Sequence, residues 1–483
     1  MRTSRCVFNL VGAVGLAGLL TACGSNDVPA VSASGSGSGA GGGSASASGT
    51  VTGFGSVFVN GKKYEANNVT VKIDDESERS CNINPSDSCG LKKGMVVTVN
   101  GLFNGTQHSA ASVRQKDAVE GLVQSVAADG LTLTVMGQTV LVDETTIVDD
   151  NITGRDVRNL VAGTDAVEVN GHIRPNGMIQ ATFIEKKPVG TVTPEVRGYV
   201  SNHTDGTKTF QVGALTVSYA TALINDMPTP TGSNWNGLLV EAKGSLFNGV
   251  TTTLTATKVE PEPDGISNNV DELEVEGYVT QVLGSGDFFI GRTHVQTNSS
   301  TEFRGGTIDE IVVGTKVSAE GRWANGILAA KHVKFHASVR LEGDIASIAG
   351  SSLTLVGLSG VTVQVNSQTE FNNTSLAGLS IGDHIRVRGR VSGNSSVTAT
   401  RVDFRSTDSD VDLQGPVQSI AGNVIVILGV SVDTSSIDQF ESVSDSSMNR
   451  AGFLGQVKVG SLVKVKGKLN GPTVRWDEAE LED

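Results

Sequence analysis

One pattern written six times constrains this chain more than any other feature. Each copy opens with an apolar-x-Gly-x-apolar run: Val119-Glu120-Gly121-Leu122-Val123, Val196-Arg197-Gly198-Tyr199-Val200, Val275-Glu276-Gly277-Tyr278-Val279, Leu341-Glu342-Gly343-Asp344-Ile345 and Leu413-Gln414-Gly415-Pro416-Val417, with a fainter copy near Gly49. Self-similarity at a spacing of roughly 66–79 residues marks a repeat architecture, in which each copy is one structural unit. Later in each copy two glycines bracket an alternating stretch: Gly94–Gly101, Gly237–Gly244, Gly314–Gly321, Gly382–Gly389, Gly460–Gly467 and, one residue longer, Gly163–Gly171. Within the last of the six units, Val463 and Val465 alternate with Lys464 and Lys466, which reads as a strand with one buried face and one charged face. Asn-Gly pairs follow at 104, 176, 248, 325 and 470, a hairpin signal. A closing strand then carries Ala-x-x-Val/Ile, as at Ala181–Ile184, Ala256–Val259, Ala330–Val333 and Ala399–Val402.

The fifth unit shows the whole order. Strands are expected at Leu341–Ile345, Leu353–Val356 and Val361–Val365, a short helical turn over 375–381, and strands at Ile385–Val387 and Val397–Phe404. Three strands, a short helix and two strands are the order of an OB-like closed barrel, which removes exposed sheet edges. The fold class is therefore all-β, six tandem OB-like barrels of five to six strands, with an SH3-like small barrel as the alternative. The bounds read from the repeats are 49–116, 117–187, 188–260, 271–337, 338–406 and 407–483, with an acidic linker over 261–270. Connections as short as Lys116-Asp117 and Ala337-Ser338 suggest an in-line array of roughly 150–170 Å, with a radius of gyration of about 40–45 Å against about 22 Å for one compact body.

These signatures resemble a family of tandem domains of unknown function found in exported proteobacterial lipoproteins. The resemblance spans nearly everything from Gly49 onward and is weakest in the first and last units. It implies small β-barrels and an envelope location, and it implies no activity.

The N-terminus reads as a targeting segment. Arg2 and Arg5 precede an apolar stretch from Val7 to Leu20, which is too short to span a bilayer. It ends in Leu20-Thr21-Ala22-Cys23-Gly24, similar to the lipobox at which a bacterial lipoprotein signal is cleaved and the cysteine acylated. Residues 1–22 are thus expected to be a signal peptide and Cys23 the lipidation site. Residues 23–48, rich in Gly, Ser and Ala, are expected to form a flexible tether. Gly24 in place of Asp favours the outer membrane, facing the periplasm or the cell surface. The formal net charge of −14 grows more negative once Arg2 and Arg5 are removed, which excludes nucleic acid as a partner.

Three units carry insertions, over 74–90, 225–236 and 437–456, and insertions in repeats map to loops where binding resides. Cys81 and Cys89, the only internal cysteines of an exported chain, are expected to form a disulfide. Asp408, Asp410 and Asp412 offer alternating carboxylates for calcium, but the sixth and twelfth positions of an EF-hand loop are Leu413 and Ser419, so a solvated linker competes with that reading. The acids Glu260, Glu262, Asp264, Asp271, Glu272 and Glu274 read as solvated spacers. His332 and His336 fall on one strand about 13 Å apart, too far to share an ion. Trp235, in the third unit's insertion, is the aromatic candidate for ligand contact. No catalytic motif and no cofactor signature is legible. The expected function is that of a lipid-anchored envelope protein without turnover, a spacer or interaction module. Its expected partners are the membrane and an envelope protein or polysaccharide, and a glycan- or polymer-binding lipoprotein is the alternative.

Overall fold

A computed structural model describes residues 43–143, 145–188, 190–228, 234–262, 265–266, 269–304, 306–336, 339–367, 369–442 and 446–482. The signal segment, Cys23 and the tether up to residue 42 lie outside the described residues, as do Pro230, Asp264 and the 337–338 connection.

The chain is almost entirely β, and each repeat is a small five-stranded barrel. Barrel 4 shows the path. Its opening strand Val270–Gly284 pairs antiparallel with Asp287–Ile290, which pairs antiparallel with Thr293–Gln296. That third strand runs parallel to the closing strand Ile327–Phe335. The fourth strand, Lys316–Ala324, lies between the closing and opening strands and completes the ring. This 1-2-3-5-4-1 order is that of an OB-like barrel. The helix expected before the fourth strand is a single 3-10 turn, Ile308–Glu310. In barrel 6 the third strand, Val430–Asp433, pairs with Val424–Ile427 and with no other described strand. Its 437–456 insertion forms the α-helix Arg450–Gln456, which places Phe453 in the core against Phe440.

The two signature glycines have separate physical duties. The first of each pair sits in a turn with positive φ, between 75° at Gly163 and 93° at Gly314, a conformation that costs glycine nothing. The second lies at a register shift between the fourth and closing strands, opposite the small residue of the Ala-x-x-Val motif in barrels 4 and 5 (Gly321 opposes Ala330 and Gly389 opposes Ala399) and opposite Trp476 in barrel 6. A Cβ at Gly321 would come within 2.0 Å of the Ala329 carbonyl oxygen, and one at Gly389 within 2.4 Å of the Thr398 carbonyl. The repeat is thus the signature of a β-bulge that bends the sheet into a barrel. The Asn-Gly turns divide. Asn325 and Gly326 both take positive φ. At Asn104 and Asn248 the side-chain Oδ1 instead accepts backbone N–H groups two and three residues on, an Asx turn.

The barrels are not beads in line. Opening strands join them in pairs, giving three sheets. Barrels 1 and 4 share a parallel ladder from Ala45–Glu272 to Ser48–Val275. Barrels 2 and 3 meet at Val119–Val196 and Glu120–Glu195, and barrels 5 and 6 at Leu341–Leu413 and its neighbours. Barrels 2 and 3 share one apolar core, as do 5 and 6. All six lie in one compact unit, so the extended array does not hold. The reason is that the outer faces of these strands, which look solvated when read alone, are charged surfaces that neutralise one another.

One boundary shifts, and several acids change role. The first strand runs Gly43–Phe54 with Ala45 and Ala47 buried, so residues 43–48 belong to barrel 1 and not to the tether. Three of the acidic residues read as spacers are structural: Glu262 and Glu274 are buried against Lys116 and Lys62, and Glu272 bonds Lys62 and His108.

Candidate functional site

Ionic junctions join the barrels, and their residues recur at matching strand positions. The x of the opening apolar-x-Gly motif is Glu120, Arg197, Glu276, Glu342 or Gln414, each half-buried or buried, and Glu276 meets Thr50 and His172 of other barrels. Where barrels 1, 2 and 3 meet, the Lys243 ammonium lies 2.6 Å from Glu195, 3.1 Å from Asp74 and 2.7 Å from Asp75. Lys116 bridges Glu262 and Glu241. Carboxylates outnumber cations here. Burial, then the Glu168 charge, pushes Glu120 up to about 7. Burial and the charges of Glu241 and Asp74 raise Glu195 well above the carboxylate range. Asp117 rises through burial and Glu168, although it accepts hydrogen bonds from Gln115 and Asn170. Asp74, Glu120 and Glu195 hold oxygens within 4.8 Å of one another, but Lys243 already supplies the cation for two of them.

Where barrels 1, 2 and 4 meet, Glu276 accepts from the Thr50 backbone N–H at 2.9 Å and from Lys316 at 2.6 Å, with His172 Nε2 at 3.6 Å. Burial opposes ionisation of Glu276, but the Lys316 and His172 charges outweigh it and hold the carboxyl well below its usual range. Where barrels 4, 5 and 6 meet, arginines dominate. Glu310 of barrel 4 receives Arg386 and Arg388 of barrel 5, and Arg340 reaches Asp412 of barrel 6 at 2.8 Å. Burial would raise Glu310, yet the Arg388 and Arg340 charges bring it down to about 2.

Between barrels 2, 4 and 5 the surfaces leave a cleft. Arg174, Lys316, Arg390 and Arg401 line it, with Asp143 and Glu370 the carboxylates among them. Arg174 bonds Glu370 and stacks 5.2 Å over the Tyr278 ring, and Arg390 bonds Asp143.

The residues singled out from the sequence fall elsewhere. Cys81 and Cys89 are disulfide-bonded, with Cα atoms 6.4 Å apart. Trp235 does not face a ligand: it is fully buried, its Nε1 donates to the Pro228 carbonyl at 3.0 Å, and His203 stacks on it. The insertion thus closes the core of barrel 3. Asp408, Asp410 and Asp412 do not converge on an ion. Asp408 faces His384, Asp410 pairs with Lys468 and Asp412 with Arg340, so each carboxylate is engaged by a different basic side chain. His336 packs near Glu276, whereas His332 pairs with Glu302. The junction residues escaped the sequence reading, although a glutamate recurring between apolar neighbours of the opening motif was a signal for them.

Fused pairs of OB-like barrels locked by buried ion pairs define the class of protein. Four stretches, 120–185, 276–334, 342–403 and 414–475, match the profile described as Domain of unknown function (DUF5666). They cover more than half of the chain, and the protein belongs to this family. Barrels 1 and 3, outside the matched stretches, follow the same strand path. No curated protein matches the chain.

Proposed function

We propose that this protein is a lipid-anchored component of a bacterial cell envelope that binds a partner without turning it over, and that its six barrels act as one rigid body. The observation that carries this reading is the fusion of the barrels through shared ladders and buried ion pairs, which presents concave surfaces between barrels. The anchor rests on Leu20-Thr21-Ala22-Cys23, and the Gly24 that follows favours the outer membrane. Among the described residues no helix is long and apolar enough to cross a membrane.

The anchor is tested by Cys23→Ser. The variant should leave the membrane pellet and appear in the soluble periplasmic fraction, whereas retention in the pellet would refute acylation at this residue. Crosslinking of whole envelopes should then trap a partner at residues facing the inter-barrel clefts. Crosslinks confined to the outer hairpin tips would argue against a role for the clefts.

A further inference from the structure

The cleft between barrels 2, 4 and 5 gathers cations in a chain that is acidic as a whole. The chain as a whole carries a formal charge of −14, yet four cations line this concavity with Asp143 and Glu370, while the carboxylates that hold Lys316 and Arg401, Glu276 and Asp403, lie outside the lining. The cations come from three barrels: Arg174 from barrel 2, Lys316 from barrel 4, Arg390 and Arg401 from barrel 5. Their side chains are largely enclosed, with 11, 15, 13 and 19% of their surface exposed. A surface whose cations served only solubility would leave them in water.

Each cation is also held in place. Tyr278 lies beneath the Arg174 guanidinium, Glu370 fixes its Nη2, Asp143 fixes Arg390, and Asp403 holds Arg401 Nε at 2.9 Å. Guanidiniums oriented in this way present planar forks of N–H donors that match paired oxygens, and holding them beforehand removes the ordering cost of binding. His336 completes the wall. Burial brings its imidazole down to about 4, so it is neutral, and its Nε2 is buried without a hydrogen-bond partner. A neutral imidazole protonated on Nε2 adds a donor, not a charge.

We propose that this cleft is a binding site for a small multivalent oxyanion, a phosphate or an organic polycarboxylate, which bridges the guanidiniums of barrels 2 and 5. The proposal gives a ligand class to the rigid binder described above and does not depend on the anchor, so release of Cys23→Ser from membranes bears on one and not the other.

The test uses the full chain carrying Cys23→Ser, titrated with inorganic phosphate and with citrate, each against sodium chloride at equal ionic strength. Calorimetry and the thermal midpoint are the readouts, since a ligand of the folded state raises the midpoint. Binding of phosphate alone assigns a phosphoryl group, and binding of citrate alone assigns a polycarboxylate. The paired change Asp143→Asn with Arg390→Gln removes both charges of one contact and leaves no lone buried ion. It should weaken binding at least tenfold, as should Arg174→Gln, while Lys468→Gln on an exposed strand of barrel 6 should leave it unchanged. Midpoints that follow chloride alone, or a paired variant that binds like the parent, would overturn the proposal.

Discussion

Where barrels 1, 2 and 3 meet, lysines are surrounded by a surplus of carboxylates. Where barrels 4, 5 and 6 meet, three arginines face Glu310, Glu342 and Asp412 in near balance. Both junctions use side chains of opening and fourth strands, joined by Asp74, Asp75 and Lys116 from loops in the first and by Glu310 from a 3-10 turn in the second. The scaffold is the same, and only the side chains at its matched positions differ. The consequence shows in acidity: Glu120 in the first junction rises to about 7, while Glu310 in the second falls to about 2. One fold can therefore join two barrels by sharing protons among acids or by clamping acids with guanidiniums. Arginine does the second well because its planar fork satisfies two carboxylates at once, as Arg386 does for Glu310 and Glu342.

Removing one partner from each junction should separate them most strongly. Glu310→Leu leaves three buried guanidiniums without their shared acid and should cost ~3–5 kcal/mol, the same at pH 6 and pH 8. Lys243→Met leaves its carboxylates unpaired and should cost a similar amount at pH 8 but less at pH 6, because Glu120 and Glu195 can then take up protons. Denaturant unfolding at both pH values measures this, and an equal pH response in the two variants would break the comparison.

The bulge should mark what the two junctions share. Gly171→Ala in barrel 2 and Gly389→Ala in barrel 5 each drive a Cβ to within 2.3–2.4 Å of a backbone oxygen of the closing strand. Both should lose on the order of 1–3 kcal/mol, typical of overpacking. A loss confined to one of them would mean that the barrels are not built alike.

The smallest effect is the pH profile of the unaltered chain. Glu120 and Glu274 ionise near 7 when folded against an ordinary value of 4.5, so their protonated forms favour the fold fully below about pH 4.5, and that contribution is lost as pH rises through 7. Glu310 and Glu241, near 2, contribute in the opposite sense, present above 4.5 and lost as pH falls toward 2. Thermal midpoints should therefore peak in mildly acidic buffer, decline as the pH rises toward about 7 and level off above it, and Glu120→Gln should flatten that decline. A midpoint that climbs steadily from pH 5.5 to 8.5 would contradict the assignment of surplus acid to the first junction.

The repeat, the all-β class and the barrel path were legible in the sequence because they rest on local rules. A positive φ selects glycine at positions such as Gly314, a bulge excludes any Cβ at Gly321, and alternation places Val463 and Val465 inward. The disulfide was legible because two cysteines had one choice of partner. Tertiary structure alone decided which barrel sits beside which, and with that the roles of the charged residues. Glu262, Glu274 and Asp412 look solvated along the chain, because a charge has no sequence-local signal for a partner far away. Glu272 meets Lys62 across 210 positions, Lys243 meets Asp74 across 169, and Arg390 meets Asp143 across 247. Trp235 was misplaced for a related reason: an insertion reads as an exposed loop until the fold shows the core it covers. Short-range stereochemistry is written residue by residue, whereas the neutralisation of one charged face by another exists only once the chain has brought them together.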